Sequence, residues 1–410
     1  MFFTIILSCI FTYVIKTPFF EYKVQSYEIL FLISVITLIV FHREISFNLK
    51  SIKPFFPLIF LACISIINLL LFPEKIVIVN NIGTIYLIFS ALILYIIGLN
   101  TTDWSKYIKY SSQFGIWILI VLGFVGFTLS IIFDYNRFVL IYENYPYFHD
   151  VIRIKGANFS PNIYISVLCF FACLNMAFYK LSKLVIVLII SLGFLSLTKE
   201  ALLLITIVSC YLIDPKYQKI SRSVWLIVFS GVLYLFFSFF VIDFNTKNNV
   251  DDNWPIAVGK TSLHANTYFS IYPTTYFYLF KTGLTTSKTH FFKGIGYGNF
   301  KSNLEEYEEQ LGYPDYLPTY EPHDAYFGIG AQLGFLYFIF LILLFRKLKE
   351  IFKIITLNVA YTALFFFILY MGIESFAYGT FHYRHYFVFF AIIVLIFENA
   401  RKIKSQFCLH

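Results

Sequence analysis

Three observations predict an all-α integral membrane protein, a polytopic helical bundle of about 12 spans with one long outer loop before the last three. Of 410 residues only 13% are charged and 59% are hydrophobic, whereas a water-soluble domain carries roughly a quarter charged residues. The apolar residues fall in blocks of about 15 to 20, the length that crosses a ~30 Å hydrocarbon core. The ~10-residue alternating segments of a transmembrane β-barrel are absent.

The blocks lie near residues 2–15, 27–42, 54–72, 80–98, 112–133, 161–179, 184–197, 200–213, 223–242, 326–345, 354–373 and 385–400. The first lacks a basic start and a small-residue cleavage site, so it is expected to be a retained span rather than a signal peptide. The stretch 184–213 decides the parity. As one straight helix it would run about 45 Å, too long for the core. Gly193, Thr198, Lys199 and Glu200 interrupt it. Both of its ends are basic, with Lys180 and Lys183 before it and Lys216, Lys219 and Arg222 after. Basic loops stay in the cytoplasm, so the stretch is expected to fold back as a hairpin of two short helices.

With that hairpin every second loop is basic. The inner loops carry roughly twice as many Lys and Arg as the short outer ones. Both termini are then cytoplasmic and the long loop lies outside. The chain divides into N-terminal spans (1–242, about nine by hydropathy), the outer loop with short helices (243–325), and three final spans with a tail (326–410). The net charge of +8 is spread over short loops, as membrane orientation requires, so it does not indicate nucleic acid. Five of the six cysteines, Cys9, Cys63, Cys169, Cys173 and Cys210, lie in apolar spans and Cys408 in the tail. No disulfide framework follows, and Cys169 and Cys173 read as packing residues rather than metal ligands. The paired halves of many transporters are not evident.

Three pieces of the outer loop stand out. NTYFSIYPTTYFYLFK (266–281) is dense in Tyr and Phe, fitting an interfacial element or a loop packed on the spans. GIGYGNF (294–300) has alternating glycines that permit positive φ and close backbone approach to a ligand, or simply a tight turn. SNLEEYEEQLG (302–312) carries a capping box at Ser302 and Glu305 and a terminating Gly312, its glutamates reading as a solvated face.

The ionisable groups near the spans are the candidate chemistry. His323, in PHDAYF, can accept a hydroxyl proton, since an imidazole ordinarily titrates near 6.5, or can merely open a helix whose first turn Asp324 favours. Lys199 and Glu200 sit at the hairpin tip, where charges are costly; they read as a functional pair or a mutual ion pair. Arg153 and Lys155, in RIKGANFSPN, with Arg137 upstream, suit a phosphate or simple loop solvation. Glu374, His382, Arg384 and His385 cluster in GIESFAYGTFHYRH and could complete a polar outer site; no ligand spacing there supports a metal.

RIKGANFSPN entering a span, LTKEALLL after a short helix, GIGYGNF in a long outer loop, and PHDAYF before a span with QLGF follow one another from Arg153 onward. In that order they resemble the O-antigen polymerase and O-antigen ligase superfamily of bacterial envelopes. The resemblance implies a glycosyltransferase in the bacterial inner membrane that uses an undecaprenyl-diphosphate-linked glycan donor and a glycan acceptor. It implies no cofactor and no metal, membrane lipids as surroundings, and a chain-length regulator protein among the partners. Residue by residue it gives His323 to the acceptor hydroxyl as the catalytic group, and Arg153, Lys199 and Arg384 to the donor's diphosphate. Two positions depart from the family pattern. Thr198-Lys199 stands where Ser or Thr followed by Arg is usual, replacing a bidentate fork by a point charge. Asp324 stands where Asn usually follows the histidine. The expected activity is polymerisation of lipid-linked repeat units at the periplasmic face. A ligase passing the glycan to lipid A–core is the alternative within the class, and a lipid-linked oligosaccharide flippase the alternative outside it.

Overall fold

The computed structural model describes residues 6–7, 9–11, 14–16, 23–25, 29, 32, 36, 49–101, 103–142, 151–214, 220–244, 264–265, 269–301, 323–355, 361–378 and 384–407. They are mostly helical. In chain order the helices are α1 (Phe56–Leu71), α2 (Lys75–Asn100), α3 (Trp104–Phe133), α4 (Pro161–Phe178), α5 (Lys183–Ser196) and α6 (Glu200–Ile213). They continue with α7 (Ile220–Phe239), α8 (Thr275–Thr289), α9 (Phe327–Leu333), α10 (Phe335–Ile355), α11 (Thr362–Glu374) and α12 (Arg384–Phe407). Among the described residues, five helical stretches are long and apolar enough to cross a membrane: Ile52–Leu71, Lys75–Asn100, Trp104–Phe133, Pro161–Phe178 and Ile220–Phe239. The 302–312 helix and most of the first two expected spans fall outside the described residues.

Solvation divides the bundle. α4 is buried almost all round and forms its centre, with Ser160 capping its first turn and Pro161 at the first helical position. Phe170 on α4 stacks on Phe389 of α12 at 3.8 Å. The outer helices instead expose apolar stripes, such as Phe114, Trp117 and Val121 on α3 and Trp225, Phe229 and Val232 on α7. Stripes of that size are unfavourable against water and at home against hydrocarbon.

The hairpin expected over 184–213 is present. α5 ends at Leu197, whose φ of 47° is left-handed, and the chain turns through Thr198 and Lys199 into α6. Gly193 lies against Ala201 and Ile205, so the two helices run back along each other. At the base, the backbone N–H of Leu181 donates to the Tyr211 hydroxyl at 3.2 Å. The two ends of the segment therefore meet.

Three features add to the sequence reading. The fold is mostly helical, as expected, and small antiparallel sheets brace the connections. β1 (Val14–Lys16) pairs with β2 (Lys23–Gln25), β3 (Val139–Tyr142) with β4 (Val151–Ile154), and a third sheet has the order β5-β7-β6, formed by Phe240–Phe244, Phe269–Pro273 and His264–Ala265. Strand β5 takes over from α7 at Phe240, inside the expected span 223–242, and pairs Phe240 with Pro273 and Phe244 with Phe269. Second, the described part of the aromatic stretch, 269–281, forms β7 and the start of α8. α8 packs on α9 with Gly283 against the backbone of Gly328 and Phe280 edge-on to Phe327 at 5.6 Å.

Third, the expected span 326–345 is broken. α9 stops at Gly334, with φ 73° and ψ −161°, and α10 restarts at Phe335. The glycine loop explains the break. Gly294, Gly296 and Gly298 all have positive φ, and their backbone grips protein rather than ligand. Ile295 N–H donates to Ala331 O at 3.1 Å and Gly296 N–H to Gln332 O at 3.0 Å. Gly298 N–H donates to Gln332 Oε1 at 2.6 Å and Tyr297 N–H to Asn68 Oδ1 at 3.0 Å. Asn81 Nδ2 completes the knot by donating to the same Asn68 oxygen at 3.0 Å. A Cβ on Gly334 would lie 2.8 Å from Gly294 N. Gly334→Ala is therefore expected to destabilise the protein by about 2–3 kcal/mol, combining left-handed strain with a backbone clash. Thermal unfolding in detergent measures it, and an unchanged midpoint would show that the loop yields.

Candidate active site

At the hairpin-tip end of the bundle, six separate segments bring their polar residues together. β4 delivers Arg153, paired with Leu140 across the β3–β4 ladder; strand alternation sends Ile154 into the core and leaves Arg153 on the other face. Arg153 Nε donates to Ser196 O at 3.1 Å, tying the strand to the end of α5, and Nη2 donates to Asn162 Oδ1 at 3.4 Å. Asn162, in the first turn of α4, donates from Nδ2 to the Tyr378 hydroxyl at 2.5 Å. Tyr378 follows the end of α11.

Lys199 approaches from the hairpin tip with Nζ 5.5 Å from the centre of the Tyr276 ring, a cation–π placement. Tyr276 opens α8. Its position is fixed by Thr274, whose N–H donates to Phe239 O at 2.8 Å and whose hydroxyl donates to Ser238 O at 2.6 Å. The Tyr276 and Tyr378 hydroxyls hydrogen-bond at 3.2 Å. His323 lies over this pair, its ring centre 5.0 Å from that of Tyr276 and 6.1 Å from that of Tyr378. Arg153, Asn162, Lys199, Tyr276, His323 and Tyr378 are all partly exposed. They form one partly exposed polar cluster, with Glu200 buried beside it.

The electrostatics follow from depth. Burial pushes the Lys199 ammonium down to about 8; the Glu200 carboxylate opposes this and the Arg153 charge adds to it. Glu200 in turn interacts with both cations and lies near the Tyr378 hydroxyl, which makes it a buried counter-charge for the pair. Asp324 is the N-terminal clamp of α9, accepting from the N–H groups of Tyr326 at 2.9 Å, Phe327 at 3.0 Å and Gly328 at 2.7 Å. Burial nonetheless pushes its carboxyl up to about 7, against those three bonds. Ala325 N–H donates to Ser375 O at 2.8 Å and the Tyr337 hydroxyl donates to Ala325 O. The chain immediately after His323 is thereby clamped to α9, α10 and the end of α11.

No protein-family model, curated protein or solved structure matches this chain. The site's chemistry must be read from its own residues. Three sequence candidates, Arg153, Lys199 and His323, meet although they are far apart in the chain. Glu200 lies buried beside them, whereas Glu374 and His385 are enclosed elsewhere. Glu374 and His385 were expected in an exposed outer loop, but they lie in α11 and α12 and are 0% and 1% exposed. There Tyr386 OH donates to Glu374 Oε2, and Ser166 Oγ lies 3.4 Å from His385 Nε2. Arg137 is exposed in the turn Asn136–Phe138. His382 and the side chain of Arg384 lie outside the described residues. Among the described residues no three His, Cys, Asp or Glu side chains converge as a metal site, and Cys169 and Cys173 are buried on α4.

Asn162, Tyr276 and Tyr378 are the residues that sequence reading missed. Nothing marks two of the 32 tyrosines as special until the fold places their hydroxyls against each other. Together the six groups can bind an anion through two cations, orient hydroxyl-rich ligands through two phenols and an amide, and accept a proton on an imidazole.

Proposed function

We propose that the chain is a membrane glycosyltransferase, a polymerase that joins undecaprenyl-diphosphate-linked repeat units at the periplasmic face of the bacterial inner membrane. The observation that carries this reading is the meeting of Arg153 and Lys199 with His323 around the Tyr276–Tyr378 pair. In the reaction, the acceptor sugar hydroxyl attacks the anomeric carbon of the donor and the carbon–oxygen bond to diphosphate breaks. The lipid diphosphate leaves with the electron pair, and His323 takes the hydroxyl proton. Negative charge grows on the leaving diphosphate, where fixed cations stabilise it most. Holding both substrates against one surface supplies orientation.

The proposed topology has about 12 spans, both termini in the cytoplasm, and 243–325 on the periplasmic side, where the hairpin tip also lies. A donor already activated on lipid needs no nucleotide site. The basic residues at the tip then meet a diphosphate at head-group depth, which is where such a donor presents it.

The test is the surface-glycan ladder of a deletion strain. A polymerase defect leaves single repeats attached to lipid A–core. Complete loss of attached glycan would assign the ligase instead, and an unaltered ladder would end the transferase reading. Reconstituted protein that moves lipid-linked sugar across the bilayer without elongating it would assign a flippase.

A further inference from the structure

α3 is longer than a hydrocarbon core is thick. Its 30 residues extend about 45 Å, against a core of ~30 Å. The apolar part, Phe114–Phe133, fills that core by itself at about 1.5 Å per residue. The first turns, from Trp104 to Gln113, therefore stand at head-group level, on the side that the proposed topology makes cytoplasmic. They hold a cleft of about 440 Å³ between the start of α3 and the end of α4. Ser105, Lys106, Lys109 and Tyr110 line it from α3, and Phe178 and Tyr179 from the end of α4.

This cleft favours an anion. Its charged lining residues are Lys106 and Lys109, both exposed, and among the described residues neither is ion-paired. Lys109 Nζ lies 4.7 Å from the centre of the Tyr179 ring, which keeps the ammonium at the cleft instead of letting it trail into water. α3 also begins without a side-chain cap, Asp103 engaging the first turn through its backbone oxygen. The positive end of the helix lies at the rim that Ser105 and Lys106 occupy.

The hollow does not end at the cations. Tyr110 is shared with a second groove that continues along α3 over Tyr107, Gln113, Phe114 and Trp117. From Lys106 to Trp117 the helix descends about 16 Å. Lysines at a cytoplasmic boundary ordinarily serve orientation alone. Orientation needs neither a hollow beside them nor an aromatic groove leading from it into the bilayer. A free phosphate would use the first part and leave the second empty, whereas one molecule with an anionic head and acyl chains uses both.

We infer that Lys106 and Lys109 hold the head group of an anionic phospholipid of the inner leaflet, with its acyl chains along the Tyr107–Trp117 stripe. α4 separates this site from the candidate active site. Asn162 at one end of that helix belongs to the Arg153 cluster and Phe178 at the other to the cleft, about 24 Å apart along the axis. The occupant is therefore not the proposed donor. The inference takes its leaflet from the proposed topology and nothing from the transferase chemistry.

The experiment uses full-length protein in phosphatidylcholine nanodiscs carrying diazirine-bearing phosphatidylglycerol, with diazirine-bearing phosphatidylcholine as control. Label is expected on Tyr110, Phe114 or Trp117 from the phosphatidylglycerol probe. The probe concentration for half-maximal labelling should rise about fivefold in Lys106→Gln and about fivefold again in Lys106→Gln/Lys109→Gln, the usual worth of one basic residue at an anionic surface. Lys106→Arg should leave it unchanged, and thermal unfolding establishes that the variants are folded. Equal labelling by the phosphatidylcholine probe, or an unchanged half-maximum in the folded double variant, would overturn the inference and leave the lysines as orientation signals. The leaflet is read separately, from a membrane-impermeant maleimide on Ser105→Cys, scored on the peptide that carries this residue. Reaction in opened cells only is expected; reaction in intact spheroplasts would overturn the leaflet assignment, and with it the proposed topology, whatever the lipid result.

Discussion

His323→Ala is expected to abolish chain elongation while leaving the protein folded. A positioned proton acceptor contributes roughly 10²–10⁴ in rate, so glycan beyond a single repeat should vanish from a complemented deletion strain. Little stability should go with it. His323 is partly exposed and packs its ring against Tyr276 and Tyr378. The clamp on α9 belongs to Asp324, and the tie to α11 belongs to the backbone of Ala325. His323→Phe separates the two roles, because it keeps an aromatic ring against both tyrosines and cannot take a proton. Both variants should be inactive, with unfolding midpoints near the wild type. A normal ladder from either would remove the imidazole from the chemistry, and a restored ladder from phenylalanine alone would reduce it to a packing group.

The helices were legible because hydrophobic blocks are a local signal, one that length and charge alone decide. The hairpin was legible for a similar reason: Lys180, Lys183, Lys216 and Lys219 record on which side its ends stay. What sequence could not reveal was long-range. Gly334 looks like any glycine in QLGF until the backbone of the 294–298 loop is laid against it, and only then does its positive φ become an obligation. The glycine loop itself was ambiguous between ligand and turn, and its partner proved to be Gln332, distant in the chain. Glu374 and His385 misled for the opposite reason. Charged and polar letters in a short stretch suggest an exposed loop, yet both are enclosed by hydrogen-bonding neighbours on α12 and α4. Arg153, Lys199 and His323 could be singled out because charge beside an apolar span is unusual in any context. Tyr276 and Tyr378 could not, since aromatic residues are 21% of this chain and composition hides them.

Lys199 is expected to set the alkaline limb of the activity profile. Its ammonium is held at about 8 by burial, below the ordinary value of a lysine, because the charged form is the one that loses hydration. Below that pH the side chain carries its charge; above it the amine is neutral, and the diphosphate keeps Arg153 alone. The rate at limiting donor should therefore fall as pH rises through about 8, approaching tenfold per unit if only the charged form works. Saturating donor should behave differently, since a bound diphosphate favours the ammonium, so the limb in kcat should lie at higher pH than the limb in kcat/KM. Lys199→Arg tests the assignment directly: a guanidinium stays charged throughout this range, and the alkaline limb should disappear. Lys199→Ala should lose about 10²–10³ in rate, the usual cost of removing one transition-state donor, and lose the limb as well. A wild-type limb that survives unchanged in Lys199→Arg would place the titrating group elsewhere and leave Lys199 as a lysine merely lying across the Tyr276 ring.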